Sequence, residues 1–191
     1  TVLNSGNLQG EIPSDLLPVV GTGMVADARP NLVADPTFRA ASTVQEGQGW
    51  TWDSSTSRTV GDGGSARLAG DGGVKQMFSN LVAVSPGQEL EVAVYFKWSK
   101  PSAARPTVSV GLRGYNGSTV VFTQAVAQQQ NIVPTTGGWT QLTGTYTIPA
   151  TPYLTHVRLM LSVVNAPTGS TFWFDEDSLK KVSLIGQTLV Q

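Results

Sequence analysis

The stretch ELEVAVYFKW, residues 89–98, decides the fold. Leu90, Val92, Val94, Phe96 and Trp98 alternate with Glu91, Ala93, Tyr95 and Lys97. A period of two buries one set and leaves the other outside only if the backbone is a β-strand. Upstream, SARLAG (65–70) and VKQMFSN (74–80) are short strand-like runs separated by Asp71-Gly72-Gly73, a turn-forming cluster. Downstream, TVSVGLRGY (107–115) turns Val108, Val110 and Leu112 inward and Ser109, Gly111, Arg113 and Tyr115 outward. Asn116-Gly117 then favours a type I′ turn, with TVVFTQAVA (119–127) as the return strand. WTQLTGTYTI (139–148) carries Leu142, Tyr146 and Ile148 on one face and is closed by Pro149. In THVRLMLSVV (155–164), Val157, Leu159, Leu161 and Val163 oppose His156, Arg158, Met160 and Ser162. TFWFD (171–175) and KKVSLIG (180–186) supply the last strands.

No segment carries a helical period, and strands at hairpin spacing without helices between them predict an all-β, two-sheet antiparallel β-sandwich. A jelly roll is the preferred topology, with strand order left open by periodicity. Length fits one core plus an appendage. Residues 1–30 read as an extended N-terminal arm, since Pro13 and Pro18 confine any helix between them to about one turn. Ile12, Leu16, Leu17, Val19 and Val20 make that arm too apolar for a solvated linker, so it is expected to dock. Residues 31–191 form the sandwich domain.

Charged residues are 13% of the chain, about half the usual share, so the surface is built from hydroxyls and amides. A net charge of −1 lacks the basic excess that phosphate neutralisation needs, which argues against nucleic acid as partner. The absence of cysteine excludes disulfides, thiolate metal sites and cysteine nucleophiles. No apolar run approaches the roughly 20 residues of a membrane span, so membrane insertion is not expected.

NLVADPTF (31–38), GWTWD (49–53), SPGQELEVAVYFKW (85–98), GGWTQLTGTYTIP (137–149) and FWFDEDSL (172–179) resemble, in order, the landmarks of family 4/9-type carbohydrate-binding modules. Those modules are galactose-binding-like jelly rolls, and the resemblance covers roughly residues 31–185. GEIPSDLLP (10–18) resembles segments leading into such modules in minor tail proteins and tail fibres of bacteriophages infecting actinobacteria. Together they imply a non-enzymatic, virion-borne, extracellular adhesin binding host cell-surface polysaccharide. They imply other tail proteins as partners and a homotrimer with the arm at the subunit contact. Two alternatives stay open: a structural tail subunit that has lost sugar binding, and an accessory module of a bacterial polysaccharide-degrading enzyme.

Carbohydrate sites stack aromatic rings on apolar sugar faces and flank them with hydrogen-bonding groups. Tyr95, Lys97, Arg113, Tyr115 and Arg158, with His156, form such a surface if their strands share one sheet; otherwise they are ordinary solvated side chains. Trp50 and Trp52 share one side of an extended segment, Trp50 as core and Trp52 as either core or ligand contact. Trp98, Trp139 and Trp173 are expected to pack. The resemblance also implies a structural calcium ion, with Asp175 at a ligand position. Arg39 stands where an acidic residue is expected, so either the ion is bound or Arg39 replaces it by pairing with Asp175. No other cofactor is expected. For catalysis, Glu89 and Glu91 lie about 6.5–7 Å apart on one strand face, within glycosidase spacing. They sit where a Pro-Gly turn enters a strand, a solvated position. The single His156 has no histidine partner for zinc and no triad around it. Asn116-Gly117-Ser118 fits a glycosylation sequon that its turn chemistry already explains.

Overall fold

The structure is a computed structural model and describes residues 29–44, 49–99, 105–133 and 138–182. The expected arm, apart from Arg29 and Pro30, therefore lies outside the described residues.

Among the described residues ten strands follow in chain order: β1 (Trp50–Asp53), β2 (Ser65–Ala69), β3 (Lys75–Phe78), β4 (Val82–Ala83), β5 (Glu89–Ser99), β6 (Thr107–Asn116), β7 (Thr119–Gln129), β8 (Thr140–Thr147), β9 (His156–Val164) and β10 (Thr171–Lys181). The first sheet runs β1-β2-β10-β5-β8, and the second runs β3-β9-β6-β7 with β4 also paired to β9. All pairings are antiparallel. The two-sheet sandwich read from the sequence is the observed fold. Among the described residues the only helical turn is the 3₁₀ segment Ala41–Thr43.

The alternation in β5 comes out as read: Leu90, Val92, Val94, Phe96 and Trp98 are buried between the sheets. Phe172 and Phe174 of β10 meet them from the adjacent strand. Trp98 stacks on Phe172 with centroids 5.2 Å apart and planes 4° from parallel. Trp50 and Phe96 tilt against Phe174 at 5.4 and 6.3 Å. Burying each such ring contributes on the order of 1.5–3 kcal/mol, and the column ties β1, β5 and β10 together within the core.

Three local expectations are corrected. The β6–β7 hairpin pairs Asn116 with Thr119, so Gly117 and Ser118, not Asn116-Gly117, are the two turn residues. Gly117 alone adopts positive φ, 59°, which suits a turn with glycine first, and its N–H donates to Thr155 Oγ1 at 2.9 Å. TFWFD and the first two residues of KKVSLIG belong to one strand, β10, while residues 183–186 of the expected last strand lie outside the described residues. β10 carries a bulge between Asp175 and Ser178, with Glu176 at φ 49°. That bulge broke the period of two and hid the continuity. Finally, β1 and the two-residue β4 are strands too short for periodicity to reveal.

Candidate functional site

Because alternate residues of each strand face outward, the two sheets present two outer faces. The surface anticipated from the sequence is divided between them, because β5 belongs to the first sheet while β6 and β9 belong to the second. Tyr95 and Lys97 thus lie on one side of the sandwich. Arg113, Tyr115, His156 and Arg158 lie on the other. Trp52 joins neither face: it packs against the core cluster, and its indole N–H donates to Phe38 O at 2.7 Å.

On the first sheet, residues 54–63 follow β1 and reach over one end of the outer face. Arg58 lies 3.8 Å above the Tyr95 ring, and its Nη1 pairs with Glu176 at 2.5 Å. Thr59 Oγ1 donates to the same carboxylate at 2.7 Å. Beyond this cover, Lys97 Nζ sits 4.8 Å from the Trp139 ring and 5.3 Å from the Trp173 ring. Trp173 Nε1 donates to Asp53 at 2.8 Å. Burial alone would raise the Asp53 carboxyl, but donors from Ser55, Trp173 and Thr56 outweigh it and bring it down to about 2.

The expected Arg39–Asp175 bridge is not formed. Arg39 is largely exposed, 3.9 Å from Asp62, with Nε donating to Thr37 Oγ1 at 3.2 Å. Asp175 instead accepts the backbone N–H groups of Arg58 at 2.6 Å and Glu176 at 2.7 Å. Both its oxygens carry a donor and Glu176 carries a guanidinium, an arrangement suited to N–H groups and ill fitted to a calcium ion. Among the described residues no group of three or more His, Cys, Asp or Glu side chains could hold a metal ion. Arg58, which the sequence reading passed over, is the cation that ties the chain to β10 here. Burial pushes the Asp175 carboxyl up to about 6 against those two bonds, with the Glu176 and Asp62 charges adding to the rise.

The outer face of the second sheet is of different character. Strands β3, β4, β6, β7 and β9 contain no Asp or Glu at all. Arg113 reaches across β9 to β3: its guanidinium lies 3.7 Å over the Phe78 ring, and Nη2 donates to Gln76 Oε1 at 3.2 Å. Its Nε donates to Thr123 Oγ1 of β7 at 3.0 Å. Met160 lies between, 3% exposed, with Gln76 Nε2 at 3.4 Å from its sulfur. Arg158 sits 5.9 Å from the Tyr115 ring, and His156 Nδ1 lies 3.0 Å from Thr155 Oγ1. Two rings, two guanidinium groups, an amide and hydroxyls thus share one acid-free face. Phe78 and Gln76 escaped the sequence reading because β3 is four residues long, too short to assign its faces.

No family model matches the chain, and no curated protein matches it. Solved structures do. The CBM22-1 xylan-binding domain of Paenibacillus barcinonensis Xyn10C is similar with a TM-score of 0.56 at 16% identity, covering 83% of this chain and 99% of that one. The likeness is one of fold. An arabinose-bound MgGH51 α-L-arabinofuranosidase gives 0.57 at 16% identity, with 79% of this chain covering 26% of that one. The enzymatically active domain of bacteriophage CBA120 tailspike protein 4 gives 0.56 at 12% identity, with 80% of this chain covering 21% of that one. The chain therefore has the sandwich fold of carbohydrate-binding modules, and it spans about a quarter or less of the longer arabinofuranosidase and tailspike chains. Among its described residues no helix is long and apolar enough to cross a membrane.

Proposed function

We propose that the chain is a non-enzymatic glycan-binding module whose ligand lies on the outer face of the β3-β9-β6-β7 sheet. The observation that carries this reading is the row of Phe78, Arg113, Tyr115 and Arg158 on a face without a single carboxylate. Aromatic rings offer stacking surfaces for sugar faces, and guanidinium, amide and hydroxyl groups offer bonds to hydroxyls. The biological setting in this reading is a phage tail-tip subunit, supported by the resemblance of GEIPSDLLP to tail-protein segments and by the tailspike likeness. Residues 1–30 then form an arm at a subunit contact in a trimer, with residues 31–191 as the binding domain. Several weak sites on one virion bind host polysaccharide through effective concentration. In this reading Asp175 and Glu176 need no calcium ion, because Arg58 and backbone N–H groups serve them.

A second placement has its own support, since the Trp139–Lys97–Trp173 arrangement on the opposite face is also aromatic and basic. Tryptophan fluorescence separates the two. The second sheet's outer face holds no tryptophan, so a glycan bound there leaves emission unchanged, whereas one on the first sheet perturbs Trp139 and Trp173. A glycan array and a cell-wall pull-down with the full chain test the function itself. Capture of polysaccharide is expected, and blank results with folded protein would sink the adhesin reading in favour of a structural subunit.

A further inference from the structure

Arg113 and Arg158 are direct cross-strand partners in the β6–β9 register. Like charges at such positions repel, and native sheets usually place opposite charges or neutral residues there. Among the described residues neither arginine has a carboxylate within ion-pair distance, and the strands of this sheet contain no acid that could move to them. Arg113 is bonded only to neutral acceptors, Thr123 and Gln76. Arg158 is worse served, because its buried Nε has no acceptor. A buried donor left unpaired is destabilising, the more so when the group is charged.

We propose that this pair is the recognition centre for an oxyanion carried on the glycan, so that the module binds an acidic saccharide chain in preference to a neutral one. The inference rests on the glycan-binding reading above and names its substrate class. A planar fork of donors matches two oxygens of a carboxylate or phosphate, and an anion between the Arg113 and Arg158 guanidinium groups relieves their repulsion. Phe78 and Tyr115 flank the pair and hold the neighbouring sugar rings. The first sheet offers no equivalent: its guanidinium beside an aromatic ring, Arg58 over Tyr95, is already paired with Glu176.

Titration calorimetry of the full chain with three probes tests this: oligogalacturonate for a carboxylate, poly(glycerol phosphate) for a phosphodiester, and xylohexaose as neutral control. At least one acidic probe is expected to bind ten or more times more tightly than xylohexaose, with the advantage shrinking as salt rises. Which acidic probe wins identifies the oxyanion. Arg158→Gln and Arg113→Gln should each remove most of that advantage, Arg158→Lys should keep only part of it, and Arg39→Gln, an exposed arginine outside both placements, should leave it intact. Melting curves establish that each variant is folded. Equal binding of neutral and acidic probes, with both weakened by Tyr115→Ala, would overturn the acidic preference while sparing glycan binding. No binding of any probe would overturn both.

Discussion

Asp177→Asn isolates an ionisation that the fold opposes. Asp177 is 3% exposed, lines a cavity of about 250 Å³ shared with Asp35, and has one carboxyl oxygen without a hydrogen bond. Burial first, then the charges of Asp175 and Asp35, raise its carboxyl well above the ordinary 3.8. The unfolded chain releases this proton near 3.8, whereas the folded chain keeps it to a higher pH. The stability it contributes is thus complete below 3.8 and is lost as pH rises through the folded value. Each pH unit over which only the folded state holds the proton costs about 1.4 kcal/mol, or roughly 3–5 °C in melting temperature for a domain of this size. Asparagine keeps the shape and removes the proton. Melting curves of both proteins from pH 4.5 to 7.5 are the assay, and titrating groups not coupled to Asp177 cancel in the difference. The variant should gain on the wild type steadily as pH rises, with the residual decline of both reflecting Asp175, whose carboxyl is pushed up to about 6. Parallel curves across the range would refute the reasoning.

Trp98→Ala should destabilise the domain by about 3–5 kcal/mol, measured by urea unfolding, because it empties the site stacked on Phe172 and removes the bond to Val133 O. Gly111→Ala should cost about 1–3 kcal/mol or prevent folding, since its Cβ would stand 2.1 Å from the backbone oxygen of Gln124, and soluble yield with thermal melts reads this out. Adding chelator should leave the melting temperature unchanged, whereas Arg58→Ala should lower it by freeing residues 54–63 from Glu176 and Tyr95.

The sandwich was legible because β5 and β9, 11 and 9 residues long, keep an inward apolar residue at every second position along most of their length, enough to outweigh local propensity. Sheet membership was not legible, and this split the anticipated surface. Tyr95 and Arg113 sit on strands whose outward faces look alike in sequence, yet strand order, which periodicity does not encode, sends them to opposite sides. The partner of Asp175 was missed for a similar reason. Arg39 lay where a family landmark directed attention, while Arg58 lies in an irregular segment without a period, 117 residues from Asp175. The absence of acid from the second sheet was written in the sequence but acquired meaning only when β3, β6, β7 and β9 were known to be neighbours.

The placement of the ligand is tested most directly by the methyl resonances of the methionines during titration with a bound glycan. Met160 lies under Arg113 on the outer face of the second sheet, while Met77 points into the core. The account predicts that the Met160 signal shifts with saturation while Met77 and the tryptophan emission stay fixed. A saturating glycan that leaves Met160 unmoved and perturbs Trp139 and Trp173 would contradict it.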